Sequence, residues 1–512
     1  MIPENKVVKY LNIGLYAIVI LSLFTYYNYW DMLFWRPMGI HFMRQTDSLS
    51  FIAFYVKTNA PLFEPGLLTL YSEDGKTASE FPIFYYLISF VWKSFGRQEF
   101  LLRLFNLSVI TVGFYYLFLT SQRFLANRLL ALLIIVFVFA SPTLIYYANN
   151  FLPDATALGF TLIGIDFFVR YHQGKHHKRT AIIAMFWFLL ASLMKLSYAI
   201  YPFACFGTIM LFEVIDNKRL DLGFKRHIGL FVSFAVLFVL LLVWALYVTS
   251  YNQLHHGYFL SNIRPFWILN EHDTDLVWRH IFGYWWGWHY PPWSMILFAL
   301  FALFLFFQFN KYDLIDRVFI AMLVLGMVAY FILFFAQFTN HDYYILTFIP
   351  ALALLVLLSS RQLLKAWPSR WILYALIVCF GVSGIQHTIY SKDKVRWRYW
   401  NTMQNEIDEF ALVGTKLNGA DKQLDEVGVP QDARIICLRD PGYSGCTYYT
   451  NRFGWLLSDT TDEQIDRISA FQSEGAGYFI LTDTTYLQNE RLKNILHDKI
   501  YNNEKYSIYK LH

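Results

Sequence analysis

Along the chain, apolar runs alternate with short basic stretches, and eleven of the runs read as helices crossing a bilayer. They lie near residues 10–29, 101–121, 129–148, 155–170, 180–194, 197–213, 228–249, 292–309, 318–336, 344–360 and 371–389. A hydrocarbon core about 30 Å thick takes roughly 20 helical residues, because each residue advances the helix by about 1.5 Å. Phe81 to Phe95, at 15 residues, is too short for this and is predicted to lie in or dip into the interface, ending on Lys93 and Arg97. The 34 residues from 180 to 213 sit between two basic loops and must cross twice, as a hairpin with its tip near Lys195. Beyond Ser391 the pattern changes, with 33 of the last 122 residues charged against 46 of the preceding 390. There, runs such as Arg434 to Leu438 and Gly477 to Thr482 alternate with helical stretches such as Asp462 to Glu474, which predicts a small α/β domain.

Loop charge sets the orientation. With the N-terminus in the cytoplasm, the inner loops carry Lys6 and Lys9; Arg123 and Arg128; Arg170, Lys175, Lys178 and Arg179; Lys218, Arg219, Lys225 and Arg226; Lys311 and Arg317; Arg361, Lys365 and Arg370. The longer loops of the opposite face hold fewer cations, so the loop of residues 30–100 and the tail are expected outside. Composition agrees: 15% of the 512 residues are charged and 56% are apolar, against about 25% charged in soluble domains. The expected fold class is therefore a polytopic α-helical membrane protein of about eleven transmembrane helices, residues 1–390, with a small extracytoplasmic α/β domain, residues 391–512. The net charge of +5 is dispersed, so no nucleic-acid partner is expected. Cys437 and Cys446 are close enough for an optional disulfide if the tail is outside the cytosol.

The outer face holds the candidate chemistry. In HFMRQTDSLSFIAFY, Asp47 is either a general base, partly desolvated at the membrane surface, or a solvated loop acid or N-cap over Ser48 to Phe51. Asp154 follows Pro153 in a tight outer turn, where it is an N-cap of the fourth span, a functional acid, or both. Lys195, flanked by Met194 and Leu196, either snorkels to headgroups or faces a lipid phosphate. Arg103, Arg264 and Arg279 are further outer cations, and GYWWGWHYPPW offers rings for sugars, acyl chains or an interfacial belt. His341, Asp342, Tyr343 and Tyr344 share a short outer turn that either contacts a headgroup or anchors a helix. The histidines lack a ligand spacing such as HExxH, and no metal or other cofactor is expected.

Several stretches together resemble the GT-C-fold glycosyltransferases that include the protein O-mannosyltransferases and the lipid A aminoarabinose transferases. They are Asp47 in the first outer loop, SEFPIFYYLISFVWKSFGRQEFLLRL, SPTLIYYANNFLPDATALGF, ASLMKLSYAIYPF and HDYYILTFIPALALL, spread over residues 10–360. The resemblance implies a polyprenyl-phosphate sugar as donor, Asp47 as catalytic base and Asp154 as its support. The expected donor-phosphate ligands are Lys195, Arg103, Arg264, Tyr343 and Tyr344, and the expected substrate contacts are Glu80, His341 and Asp342. Where many relatives read Lys-Pro-Pro, this chain has Phe81-Pro82-Ile83, so either Lys195, Arg103 or Arg264 meets the phosphate or the donor differs. The implied reaction is an inverting transfer to a lipid, glycan or protein acceptor, by a monomer in a membrane expected to be the bacterial inner membrane. The alternative is a transporter or flippase of a lipid-linked saccharide; the chain shows no internal repeat of the kind many transporters carry.

Overall fold

A computed structural model describes residues 6–71, 74–174, 176–218, 222–259, 263–401, 409–440 and 442–512. Lys175 and Arg219, two of the cations assigned to inner loops, lie outside the described residues. All eleven expected crossings fall on helix. Among the described residues, seven helices are long and apolar enough to cross a bilayer, or eight if Arg128–Phe139 and Pro142–Ala148, bent by 83°, form one broken span. Three expected crossings are shorter or more charged: Lys178–Met194, Pro292–Phe307, and Asp154–Gln173 with its Asp154, Asp166 and Arg170. The short stretch before the second span is helical over Ile83–Phe95.

The chain divides into two compact units, Met1–Leu33 with Arg103–Trp244 and Asn262–Val395, and Phe34–Leu102 with Ala245–Ser261 and Arg396–His512. The first is a helical bundle. A Cβ on Gly113 would stand 2.6 Å from the Cα of Gly159, so helix Phe100–Leu125 meets helix Asp154–Gln173 backbone to backbone. Small residues at a crossing let helices gain van der Waals contact where lipid removes the hydrophobic drive to associate. The turn before Asp154 is tied to the same neighbour. Asn106 Nδ2 donates to the carbonyls of Asn150 and Leu152, at 2.9 and 3.0 Å, and its Oδ1 accepts from Thr156 Oγ1 at 2.6 Å.

The second unit joins the outer loop to the tail, which moves the expected division at residue 390. Its sheet contains β1 (Arg434–Leu438), β2 (Phe453–Leu457), β3 (Ala476–Leu481), β4 (Asp498–Asn502) and β5 (Ser507–Lys510) in the order β2-β1-β3-β5-β4. The first three strands are parallel and β5 runs antiparallel between β3 and β4. Residues 67–70 shield the β2 edge: Leu70 N donates to Gly454 O at 2.8 Å and Gly454 N to Leu68 O at 3.1 Å. Leu70 also enters the core of Ile436, Leu438, Trp455, Phe471, Phe479 and Leu481.

Helix Phe42–Thr58 is buried from Gln45 through Tyr55, although Gln45, Thr46, Asp47, Ser48 and Ser50 are polar. Enclosure of that kind holds only if the polar groups find partners. Gln45 Nε2 donates to Met38 O at 2.8 Å and Ile40 O at 3.1 Å, and Ser50 Oγ accepts from Leu68 N at 3.0 Å. Helix Gly445–Thr450 packs here as well, with Tyr449 stacked on Phe42 and donating to Pro37 O at 2.8 Å.

Candidate active site

The candidate residues fall into two clusters, one in each unit. In the unit of outer loop and tail, Asp47 lies inside helix Phe42–Thr58, five residues past its start, with no solvent exposure. It is thus neither a solvated loop acid nor a helix cap, because the helix already begins at Phe42. One carboxylate oxygen pairs with Arg44 Nη1 at 3.3 Å, one helical turn back, and the other accepts a short hydrogen bond from Ser444 Oγ. Arg44 Nη2 also reaches Glu80 Oε2 at 3.4 Å, and its guanidinium lies 5.2 Å from the Phe259 ring. Glu80 accepts from Ser79 Oγ and Tyr85 Oη, each at 2.5 Å.

The two acids sharing Arg44 are driven in opposite directions. Burial pushes the Asp47 carboxyl up to about 6, against the opposing pull of Arg44 and the Ser444 hydroxyl. Burial also raises Glu80, but Arg44, Ser79 and Tyr85 outweigh it and hold that carboxyl below its usual value. Two carboxyls whose environments separate their acidities are suited to different tasks. Glu80 is therefore held toward its charged form, while Asp47 is pushed toward its neutral one.

In the helical unit, Lys195 stands in extended conformation at the break between helix Lys178–Met194 and the 3-10 turn Leu196–Ala199, the expected hairpin tip. Its ammonium pairs with Asp154 Oδ1 at 2.9 Å and lies 4.6 and 4.2 Å from the ring centres of Tyr343 and Tyr344. Pro153 holds the N-cap position, so Asp154 is the first residue of its helix and not the N-cap, and its carboxylate pairs with Lys195. Asp342 is buried and accepts from Tyr147 Oη at 2.5 Å, which anchors its 3-10 segment, Asp342–Phe348, to helix Pro142–Ala148. His341 stacks on both tyrosines, 5.3 and 5.9 Å between ring centres.

Two expected phosphate ligands are placed otherwise. Arg103 is fully enclosed, and its Nη1 donates to the carbonyls of Met32 and Asn149 at 2.9 and 3.0 Å, so it clamps backbone instead of standing open to a ligand. Arg264 is half exposed and pairs with Asp273 at 3.7 Å. Among the described residues, no group of three or more His, Cys, Asp or Glu could hold a metal ion.

Comparison with known proteins follows from this geometry. Residues 79–247 match the family model described as dolichyl-phosphate-mannose-protein mannosyltransferase. The structure superposes on ArnT from Cupriavidus metallidurans bound to undecaprenyl phosphate, with a TM-score of 0.62 and 12% identity over 97% of each chain. The chain has a GT-C fold. The archaeal oligosaccharyltransferase AglB from Archaeoglobus fulgidus, in complex with an inhibitory peptide and a dolichol-phosphate, matches with a TM-score of 0.53 and 12% identity over 93% of this chain and 69% of that one. No curated protein matches by sequence. The expected resemblance to the mannosyltransferase and aminoarabinose-transferase group is borne out, including its membrane helices.

Two hydrogen-bonding residues here, Asn106 and Ser444, are absent from the expected set. Asn106 could have been suspected as a polar residue inside an apolar run. Ser444 gives no such signal: it lies 397 residues from Asp47 in a part of the chain that carries no motif.

Proposed function

We propose that the chain is an integral-membrane inverting glycosyltransferase that moves a sugar from a polyprenyl-phosphate donor to a lipid, glycan or protein acceptor on the outer face. The observation that carries this reading is the match, over 97% of both chains, to a fold whose solved example holds undecaprenyl phosphate. Asp47 takes a proton from the acceptor hydroxyl or amine as that atom attacks the anomeric carbon. The bond from that carbon to the phosphate oxygen breaks, and polyprenyl phosphate leaves with the electron pair. Lys195 meets the departing phosphate in the place of the cation that Phe81-Pro82-Ile83 lacks, and Tyr343, Tyr344 and Asp154 fix its ammonium. Three N–H donors let an ammonium serve a carboxylate and a phosphate together, and positive charge held in place before the leaving group departs lowers the barrier. Glu80 keeps Arg44 neutralised; His341 and Asp342 support the tyrosine pair.

Asp47 is enclosed, so an acceptor reaches it only when a neighbour gives way. Tyr258, half-buried and stacked on Tyr443 at 3.6 Å between ring centres, is close enough for the Asp47 charge to raise its hydroxyl's pKa further after burial. The base works unprotonated, so transfer is expected to fall as the pH drops below about 6. The disulfide between Cys437 and Cys446 supports an oxidising compartment for the tail, in keeping with the positive-inside orientation.

The test is chemical. Protein reconstituted in vesicles with lipids extracted from its source membrane should release free polyprenyl phosphate and yield a glycosylated product, both read by mass spectrometry. Movement of the saccharide lipid across the bilayer with its sugar bond intact would favour a flippase and end this reading.

A further inference from the structure

Ser444 occupies the residue before helix Gly445–Thr450, the place where a serine side chain ordinarily accepts a hydrogen bond from the second or third backbone N–H. Here it does not cap. The N–H of Cys446 donates instead to Asp440 Oδ2 at 2.6 Å, and that of Gly442 to Asp440 Oδ1 at 2.8 Å. Gly445 permits this, since a Cβ there would stand 3.0 Å from both Asp440 Oδ2 and Phe42 Cε1. With the capping position served by Asp440, the Ser444 hydroxyl turns the other way and donates to Asp47. The turn is held twice more: Cys446 is bonded to Cys437 of β1, and Tyr448 donates to Glu99 Oε1 at 2.6 Å. Ser444, Cys437 and Cys446 are all fully buried, and Asp440 is nearly so.

From this arrangement we infer that Ser444 of the tail domain is a positioning residue for the base: Asp440 takes over helix capping so that the Ser444 hydroxyl can hold Asp47. The inference rests on the reading of Asp47 as base, and it makes the tail part of the reaction machinery. Oriented by Arg44 on one oxygen and Ser444 on the other, the carboxylate keeps a single rotamer. The titratable groups that act on it are Arg44 on its own helix and Glu80 before helix Ile83–Phe95, and Tyr258 on the 245–259 segment is close enough to feel its charge; Asp440 and Tyr443 lie on the turn that carries Ser444. Of these only Arg44 favours the charged form. A hydroxyl that donates to the carboxylate does so too, so losing it raises the Asp47 pKa.

The experiment titrates Asp47 in the full-length protein in micelles, by infrared difference spectra in which the Asp47 carboxyl band is the one absent from D47N. Ser444→Ala should move the midpoint upward by about one pH unit, the scale of one hydrogen bond to a charge. Ser444→Thr, which keeps the hydroxyl, should restore it. Asp440→Ala should raise the midpoint with Ser444 intact, because the serine returns to cap Cys446; this variant serves also if Ser444→Ala does not fold. An unmoved midpoint in both Ser444→Ala and Asp440→Ala, or a threonine variant titrating like the alanine, overturns the inference. Polyprenyl phosphate release from source-membrane lipid extract, followed in parallel, separates the two ideas. If D47N still transfers, the base reading falls while the Ser444 titration stands; if D47N is dead and the Ser444 variants titrate normally, the base stands and the positioning role falls.

Discussion

The two clusters solve the same problem, a charge held away from water, by different means. In the helical unit, Lys195 and Asp154 pair directly, and the Tyr343 and Tyr344 rings lie beside the ammonium. In the loop-and-tail unit, Asp47 receives one guanidinium shared with a second acid, and a neutral hydroxyl supplies the rest. The first arrangement is a mutual pair, one carboxylate against one ammonium. The second is under-compensated, so burial lifts Asp47 to about 6. Under the proposed function, the cation of the first cluster meets the phosphate, and the acid of the second, short of positive partners, accepts the proton.

The largest expected effect breaks the second cluster. Asp47→Asn should lower transfer by about 10²- to 10⁴-fold, the usual worth of a general base, while undecaprenyl phosphate binding is unchanged. A transfer rate equal to wild type in reconstituted vesicles would remove Asp47 from the chemistry. Lys195→Ala should do the reverse, weakening undecaprenyl phosphate binding by roughly 10- to 100-fold in a titration, the scale of hydrogen bonds to a charged group. Wild-type affinity in that variant would take the phosphate away from Lys195.

The pair itself can be sharpened next. Asp154→Asn leaves a largely enclosed ammonium without its carboxylate and should destabilise the protein by about 1–3 kcal/mol in thermal unfolding, whereas adding Lys195→Met should recover most of the loss. If the double variant is no better than the single one, the ion pair is not what holds this site. The smallest effect is expected from Tyr344→Leu, which removes one ring face 4.2 Å from the ammonium and should weaken undecaprenyl phosphate binding by only about 2- to 5-fold.

Much of the helical unit was legible because hydropathy is a local property. Twenty apolar residues announce a helix wherever they sit, and all eleven expected crossings are helical. The Lys195 tip followed from counting residues between two basic loops. Asp47 drew attention by its setting beside Arg44, which lies three residues earlier and so on the same helical face. Its helix was harder to read: polar residues such as Gln45, Thr46 and Ser48 suggested a solvated loop, yet nearby carbonyls satisfy them when enclosed, while Asp47 and Ser50 draw on partners far along the chain. Arg103 shows the opposite error, since an outer-face cation near the start of a span looks available until its carbonyl partners are seen.

By itself, then, the amino-acid order determined where helices form, how basic loops alternate along the chain and which segments are polar, since each depends on residues close together in sequence. Tertiary structure alone decided that Lys195 belongs to Asp154 and two tyrosines, that Asp47 and Glu80 divide one arginine, and that a serine 397 residues away completes the carboxylate's surroundings. The reason is physical: an ionisable group's partners and acidity are set by what packs around it, and packing draws on distant parts of the chain that no local pattern connects.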